Sequence, residues 1–138
     1  MRHSFWMDTV TANDIISMFR RRYQKGVTAF LENVERNSVA SAIKWDATAA
    51  ITAEIVLAYI DRFEEQLTQH GPEAAAKYID TMTDYLLQRQ SYFDPTNQST
   101  SAASTYVENV EYAANKEVLD RVLPALDEAL EQLDIDDA

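Results

Sequence analysis

An all-α fold, a four-helix or related helical bundle with one long polar loop between the third and fourth helices, is what this sequence predicts. Three observations carry that expectation. Gly (two) and Pro (three) are scarce in 138 residues, so few turns interrupt the chain and long elements are favoured. Apolar residues recur at spacings of three and four over most of its length, the period of one helix face. The remaining punctuation falls at a few clear boundaries. The length fits one domain with its own core; we expect residues 1–138 to form a single helical domain, with residues 1–10 as an N-terminal arm and residues 134–138 as an acidic tail.

In the first helix Ile15, Phe19, Tyr23, Val27, Phe30 and Val34 form the apolar stripe. Thr11 followed by Asp14 reads as its start, with the hydroxyl accepting from the orphan amide three residues on. The expected span is Ala12 to Arg36, closed by Asn37-Ser38, with Gly26 an internal weak point of roughly 1 kcal/mol. Val39 to Gln69 is Ala-rich and, between Ala47 and Ile60, apolar nearly all round, the pattern of a central element. Asp46 offers a possible fresh start after Trp45.

His70-Gly71-Pro72-Glu73 places Gly just past one helix and Pro at the first position of the next, matching the asymmetry of helix termini. Ala75, Tyr78, Ile79, Met82, Tyr85, Leu86 and Phe93 are the third stripe. Asp94-Pro95 closes it, because the residue before proline avoids the α region. Pro95 to Ser104 is polar and without period, a loop. Thr105 and Glu108 read as a capping box opening the last helix, whose Leu119, Leu123, Leu126, Leu130 and Leu133 step by four, three, four and three as a heptad seam. Pro124 should kink that helix near Asp120 and Arg121.

The charge is uneven. Residues 1–44 carry seven Lys and Arg against four Asp and Glu, residues 45–138 five against nineteen, within a total of −11. An anionic body repels a phosphate backbone, so direct nucleic-acid binding is disfavoured. The absence of cysteine excludes disulfides, thiolate catalysis and zinc–thiolate sites. With neither a signal-peptide pattern nor an apolar run of membrane-spanning length, a cytoplasmic location is the expectation.

Candidate chemistry is sparse. Glu-x-x-His, the pair that builds di-iron sites in helical bundles, does not occur. Two glycines leave little room for phosphate-cradling turns or nucleophile elbows. Glu32-Asn33-Val34-Glu35 is similar to the first half of the magnesium motif of the all-α nucleotide pyrophosphohydrolases, Glu-x-x-Glu. Asp61-Arg62-Phe63-Glu64 has the spacing of the second half with the residue types reversed, a departure that falls on the metal-binding residues themselves. Paired carboxylates one turn apart are also what any acidic helix face carries.

Arg20, Arg21, Arg22 and Lys25 form a basic patch that suits either an acidic partner or the chain's own carboxylates. The sequence reading therefore favours a non-enzymatic protein–protein interaction module, an adaptor, assembly factor or inhibitor, with no catalytic, cofactor-binding or metal residues. Its partner would be another protein or a second copy, met through Trp6, Trp45, Phe93 and the seam Leu119, Leu123, Leu126, Leu130 and Leu133. The alternatives are a nucleic-acid mimic, suggested by eight acids against one Arg from Glu117 to Asp137, and a carboxylate–metal hydrolase of the pyrophosphohydrolase type.

Overall fold

A computed structural model describes the backbone of residues 2–92 and 102–137 and the side chains of residues 14–90 and 102–132. The described residues are helical throughout apart from short connections, with no strand among them. The helices are α1 (Arg2–Arg36), α2 (Val39–His70), α3 (Pro72–Tyr92), α4 (Ala102–Glu117) and α5 (Leu123–Asp137), the last two joined by a π-helical turn, Val118–Val122. No described helix is long and apolar enough to cross a membrane.

Helix boundaries follow the sequence signals where a breaker or a cap is present. Ser38 is extended at φ −169°, and its Oγ accepts from the Ser41 amide at 3.0 Å, satisfying one orphan donor of α2. Gly71 ends that helix at φ +89° while its amide donates to the Leu67 carbonyl. A left-handed residue without a Cβ is what this turn demands.

Three boundary expectations are corrected. The helix starts at Arg2 rather than Ala12, because nothing between those positions breaks it and a possible cap at Thr11 is not an obligatory one. The backbone of residues 2–10 shares that helix, and α5 likewise runs on to Asp137. No break occurs at Trp45-Asp46; Asp46 accepts from Asn33 Nδ2 at 2.8 Å instead, using its carboxylate between helices rather than at a cap. The last helix opens at Ala102, not Thr105, so Ala102 to Ser104 leave the expected loop; its remaining residues lie outside the described ones.

α2 is the central element, packed against α1, α3 and α4. Asn33 meets Asp46 while Arg20 meets Asp61 and Glu64, so α1 and α2 run antiparallel. Between those two points Gly26 lets the helices approach closely: a Cβ built on it would lie 2.8 Å from the Ala49 carbonyl oxygen. The glycine that reads as a helical weak point is the condition for the α1–α2 contact. Gly26→Ala would gain roughly 1 kcal/mol of helix propensity but must push backbone against backbone. Overpacking of this kind costs about 1–3 kcal/mol, and thermal melts should show a net loss of stability.

The core gathers Ile16 and Tyr23 of α1, Val56, Ile60 and Phe63 of α2, Ile79 and Leu86 of α3, and Val118, Val122, Leu123, Leu126 and Leu130 of the C-terminal segment. Near the expected kink the chain takes its π-helical turn, with the Leu123 amide donating to the Val118 carbonyl. Pro124 has no amide to give the Asp120 carbonyl, and the widened turn re-aims the stripe. Val118 and Val122 before the junction and Leu123 and Leu126 after it are all buried.

Burial of this stripe corrects the interface reading of the leucines. Leu123, Leu126 and Leu130 are 1%, 0% and 2% exposed within the single chain, and α5 packs against α1 and α3. The seam's receiver is the protein's own core. Leu119 is half-buried against the same cluster, and the side chain of Leu133 lies outside the described residues.

Candidate functional site

The described residues assemble two surfaces that the core does not use. The first is an apolar end where α1 turns into α2. Leu31, Val39 and Ile43 are each more than half exposed there, and Trp45 is 72% exposed with the Lys44 ammonium over its ring at 5.1 Å. Val39 and Ile43 sit one turn apart on one helix face. The Tyr106 and Thr48 hydroxyls are hydrogen-bonded to each other, which brings Tyr106 and Val107 at the start of α4, both also exposed, to the same end.

The second surface is a groove of about 460 Å³ along α2. Its floor is Ile51, Ile55 and Ala58, with Glu54, Tyr59 and Arg62 on the same helix. Tyr85 and Arg89 of α3 form one wall, Glu111 and Asn115 of α4 the other. Ile51 and Ile55, expected in the core from the all-round apolar character of α2, are only partly buried. α3 and α4 make few contacts with each other here, leaving α2 uncovered between them.

Arg89 is held in place: its Nη1 donates to the Tyr85 hydroxyl at 3.1 Å and its guanidinium lies 5.7 Å from that ring's centre. Burial raises the Tyr59 phenol above its usual value, with Tyr85 adding to the rise and Arg89 and Arg62 opposing it. Tyr59 thus stays protonated at neutral pH in the field of both arginines. Glu54 is exposed at the groove's edge. Among the described residues Glu54, Arg62, Arg89 and Glu111 form no ion pair.

The basic patch divides. Arg20 bridges α1 to α2, pairing with Asp61 and, at 2.9 Å, with Glu64. Its pKa is raised, first by the hydrogen bond to Asp61, then by that to Glu64. With these partners 62% and 40% exposed, such pairs contribute about 0–1 kcal/mol, and they fix register more than stability. Arg21, Arg22 and Lys25 remain exposed on α1, with the Arg22 guanidinium 5.8 Å from the Tyr23 ring centre.

This pairing also disposes of the pyrophosphohydrolase arrangement. Glu32 adjoins Asn33 and so lies at the level of Asp46, whereas Asp61 stands 15 residues farther along α2, about 22 Å at 1.5 Å per residue. The two carboxylate pairs do not converge, and the second is occupied by Arg20. No group of three or more His, Asp or Glu able to hold a metal ion occurs among the described residues.

Trp45 is therefore at the surface as an interface residue requires, while Phe93 and the side chain of Trp6 lie outside the described residues. Leu31, Val39 and Ile43 were not singled out from sequence. Their spacing is that of core residues, and the only signal available was their nearness to the Asn37-Ser38 turn, where a neighbouring helix runs out. Comparison of the chain with protein-family models, with curated proteins and with solved structures finds no match.

Proposed function

We propose that the chain is a non-enzymatic protein-interaction module, a form of helical bundle that docks a protein partner, or a second copy of itself, through its apolar end. The observation that carries this reading is the exposure of Leu31, Val39, Ile43 and Trp45 around one turn. Leaving a large apolar side chain in water forfeits about 1.5–3 kcal/mol relative to burying it, and several such residues at one end of an otherwise strongly charged molecule suit a specific receiver. An aromatic anchor such as Trp45 is typical of the residues that dominate binding energy.

A net charge of −11 favours a partner whose rim is basic and gives no support to a nucleic acid as ligand. The nucleic-acid-mimic alternative draws instead on the exposed acids Asp127, Glu128 and Glu131 of α5. Salt separates the two: a mimic loses its partner steeply as ionic strength rises, an apolar interface does not.

A photo-crosslinking residue at position 45, used in the native host with sedimentation of the purified chain, tests the proposal. We expect a crosslinked complex or a self-associated species that persists in high salt. It should weaken at least tenfold, 1.4 kcal/mol, in Ile43→Asp, with helix content unchanged. A monomeric chain that crosslinks to no protein, or a complex indifferent to Ile43→Asp, would overturn it.

A further inference from the structure

We propose that the outer face of α1 docks a second copy of this chain, which lays the outer face of its α5 antiparallel along it. The inference stands apart from the apolar end, since it uses none of that end's residues.

On α1 the exposed residues Arg21, Lys25, Thr28 and Glu32 recur at spacings of four, three and four, so they share one helix face. With Gln24 they line a shallow concavity of about 430 Å³. Its charges run in a fixed order along the helix: two positive positions, one neutral, one negative. The C-terminal segment carries the complementary order. Arg121 of the π-helical turn and Pro124, Asp127 and Glu131 of α5 are all exposed, and from Arg121 onward they give one positive position, one neutral and two negative.

Set antiparallel, Arg21 meets Glu131 of the second copy, Lys25 meets Asp127, Thr28 meets Pro124 and Glu32 meets Arg121. The register holds along the contact: the α1 positions stand four, seven and eleven residues after Arg21, the α5 positions four, seven and ten before Glu131. At 1.5 Å per residue each stripe spans about 15–17 Å. A parallel alignment would instead set Arg121 beside Arg21 and Glu131 beside Glu32, like charge on like. Neither α1 on α1 nor α5 on α5 gives every charged position an opposite one, since antiparallel pairing then sets Lys25 on Thr28 and Asp127 on Pro124. Within one chain none of these residues forms an ion pair among the described ones.

Exposed ion pairs are individually weak, but in series they fix register and exclude wrong alignments. Pro124 and the methylene stems of Arg21 and Lys25 supply apolar surface to cover. Each copy has a net charge of −11. At physiological ionic strength that distributed repulsion is screened beyond about 8 Å, while charges in contact still act.

Sedimentation equilibrium of the full chain at that ionic strength, up to millimolar protein, decides the matter through charge reversal. We expect the native chain to self-associate. Arg21→Glu with Lys25→Glu, or Asp127→Lys with Glu131→Lys, all at exposed positions, should each weaken this at least tenfold with helix content unchanged. The second pair lowers the net negative charge, so its loss cannot come from general repulsion. A chain carrying all four reversals has the native net charge and should regain self-association, and the two singly reversed chains should associate with each other. Should a reversal cost helix content, Lys25→Gln and Asp127→Asn replace it, with a smaller loss expected. Ile43→Asp should leave the contact unchanged, so failure here is distinguishable from failure of the apolar docking surface. A native chain monomeric at millimolar concentration, indifference to the α5 reversals, or no recovery with all four would overturn the proposal.

Discussion

Leu126→Asp is expected to unfold the protein at neutral pH. Leu126 is fully buried in the core that α5 forms with α1 and α3, and no buried polar or charged residue occurs among the described positions to receive a carboxylate. A carboxyl group so placed takes a proton rather than ionise. Burial raises such pKa values by up to about 3–5 units, and at 1.36 kcal/mol per unit this costs about 4–7 kcal/mol at a pH well above the shifted value. Lost apolar burial adds roughly 2–3 kcal/mol. The sum is comparable to the whole stability of a domain, about 5–15 kcal/mol. The sign of the pH dependence follows: the introduced acid is unionised below its unfolded pKa near 4, so the electrostatic part of the penalty vanishes there and grows as pH rises. Circular dichroism of the variant should show helix lost at pH 7, with partial recovery on mild acidification. A folded variant that has merely dissociated from an oligomer would place the seam at an interface after all.

The seam shows what periodicity reveals and what it leaves open. Steps of four and three established that Leu123, Leu126 and Leu130 belong to one buried helix face, and they do. Nothing in a single chain's pattern says whether the receiver is its own α1 and α3 or another molecule. The same gap explains Ile51 and Ile55. Between Ala47 and Ile60 the central helix is apolar on almost every side, yet coverage depends on how far α3 and α4 splay, a tertiary quantity that sets no spacing in the sequence. Gly26 is the converse case, where a residue with poor helix propensity marks the closest approach of two helices, visible only once Ala49 is placed opposite. Boundaries fixed by steric or hydrogen-bonding necessity, Ser38, Gly71 and the chain around Pro124, were the most legible. Boundaries resting on optional caps, Thr11, Asp46 and Thr105, were not, because a side chain that can cap a helix can equally ride within one or pair across to another. Of the candidate sites, Trp45 drew notice from a helix break beside it that does not occur, and its exposure follows instead from the face of α2 on which it sits, whereas the groove needs three helices at once.

Phe63→Ala should be the most costly truncation of a native side chain, and its contrast with Ile55→Ala tests the same distinction energetically. Phe63 is the largest of the fully buried side chains, and Ile60, one turn away, is also 0% exposed. Removing the ring forfeits its transfer free energy and leaves a cavity that surrounding helices fill only in part, a combined loss of about 3–5 kcal/mol. For a chain of this length each kcal/mol lowers Tm by roughly 2–4 °C, so a fall of about 6–20 °C is expected in a two-state melt. Ile55 lies on the same helix and would match a core residue if α2 were enclosed on all sides. It instead floors the groove and is partly solvated; its truncation removes surface that water already reaches and opens no closed cavity, so it should fall below the roughly 2–5 kcal/mol of a buried Ile→Ala change. Equal losses at the two positions would mean that the groove is closed in solution and that Ile55 belongs to the core. A marked difference, with Phe63→Ala the larger, agrees with α3 and α4 standing apart over α2 and leaving the groove open.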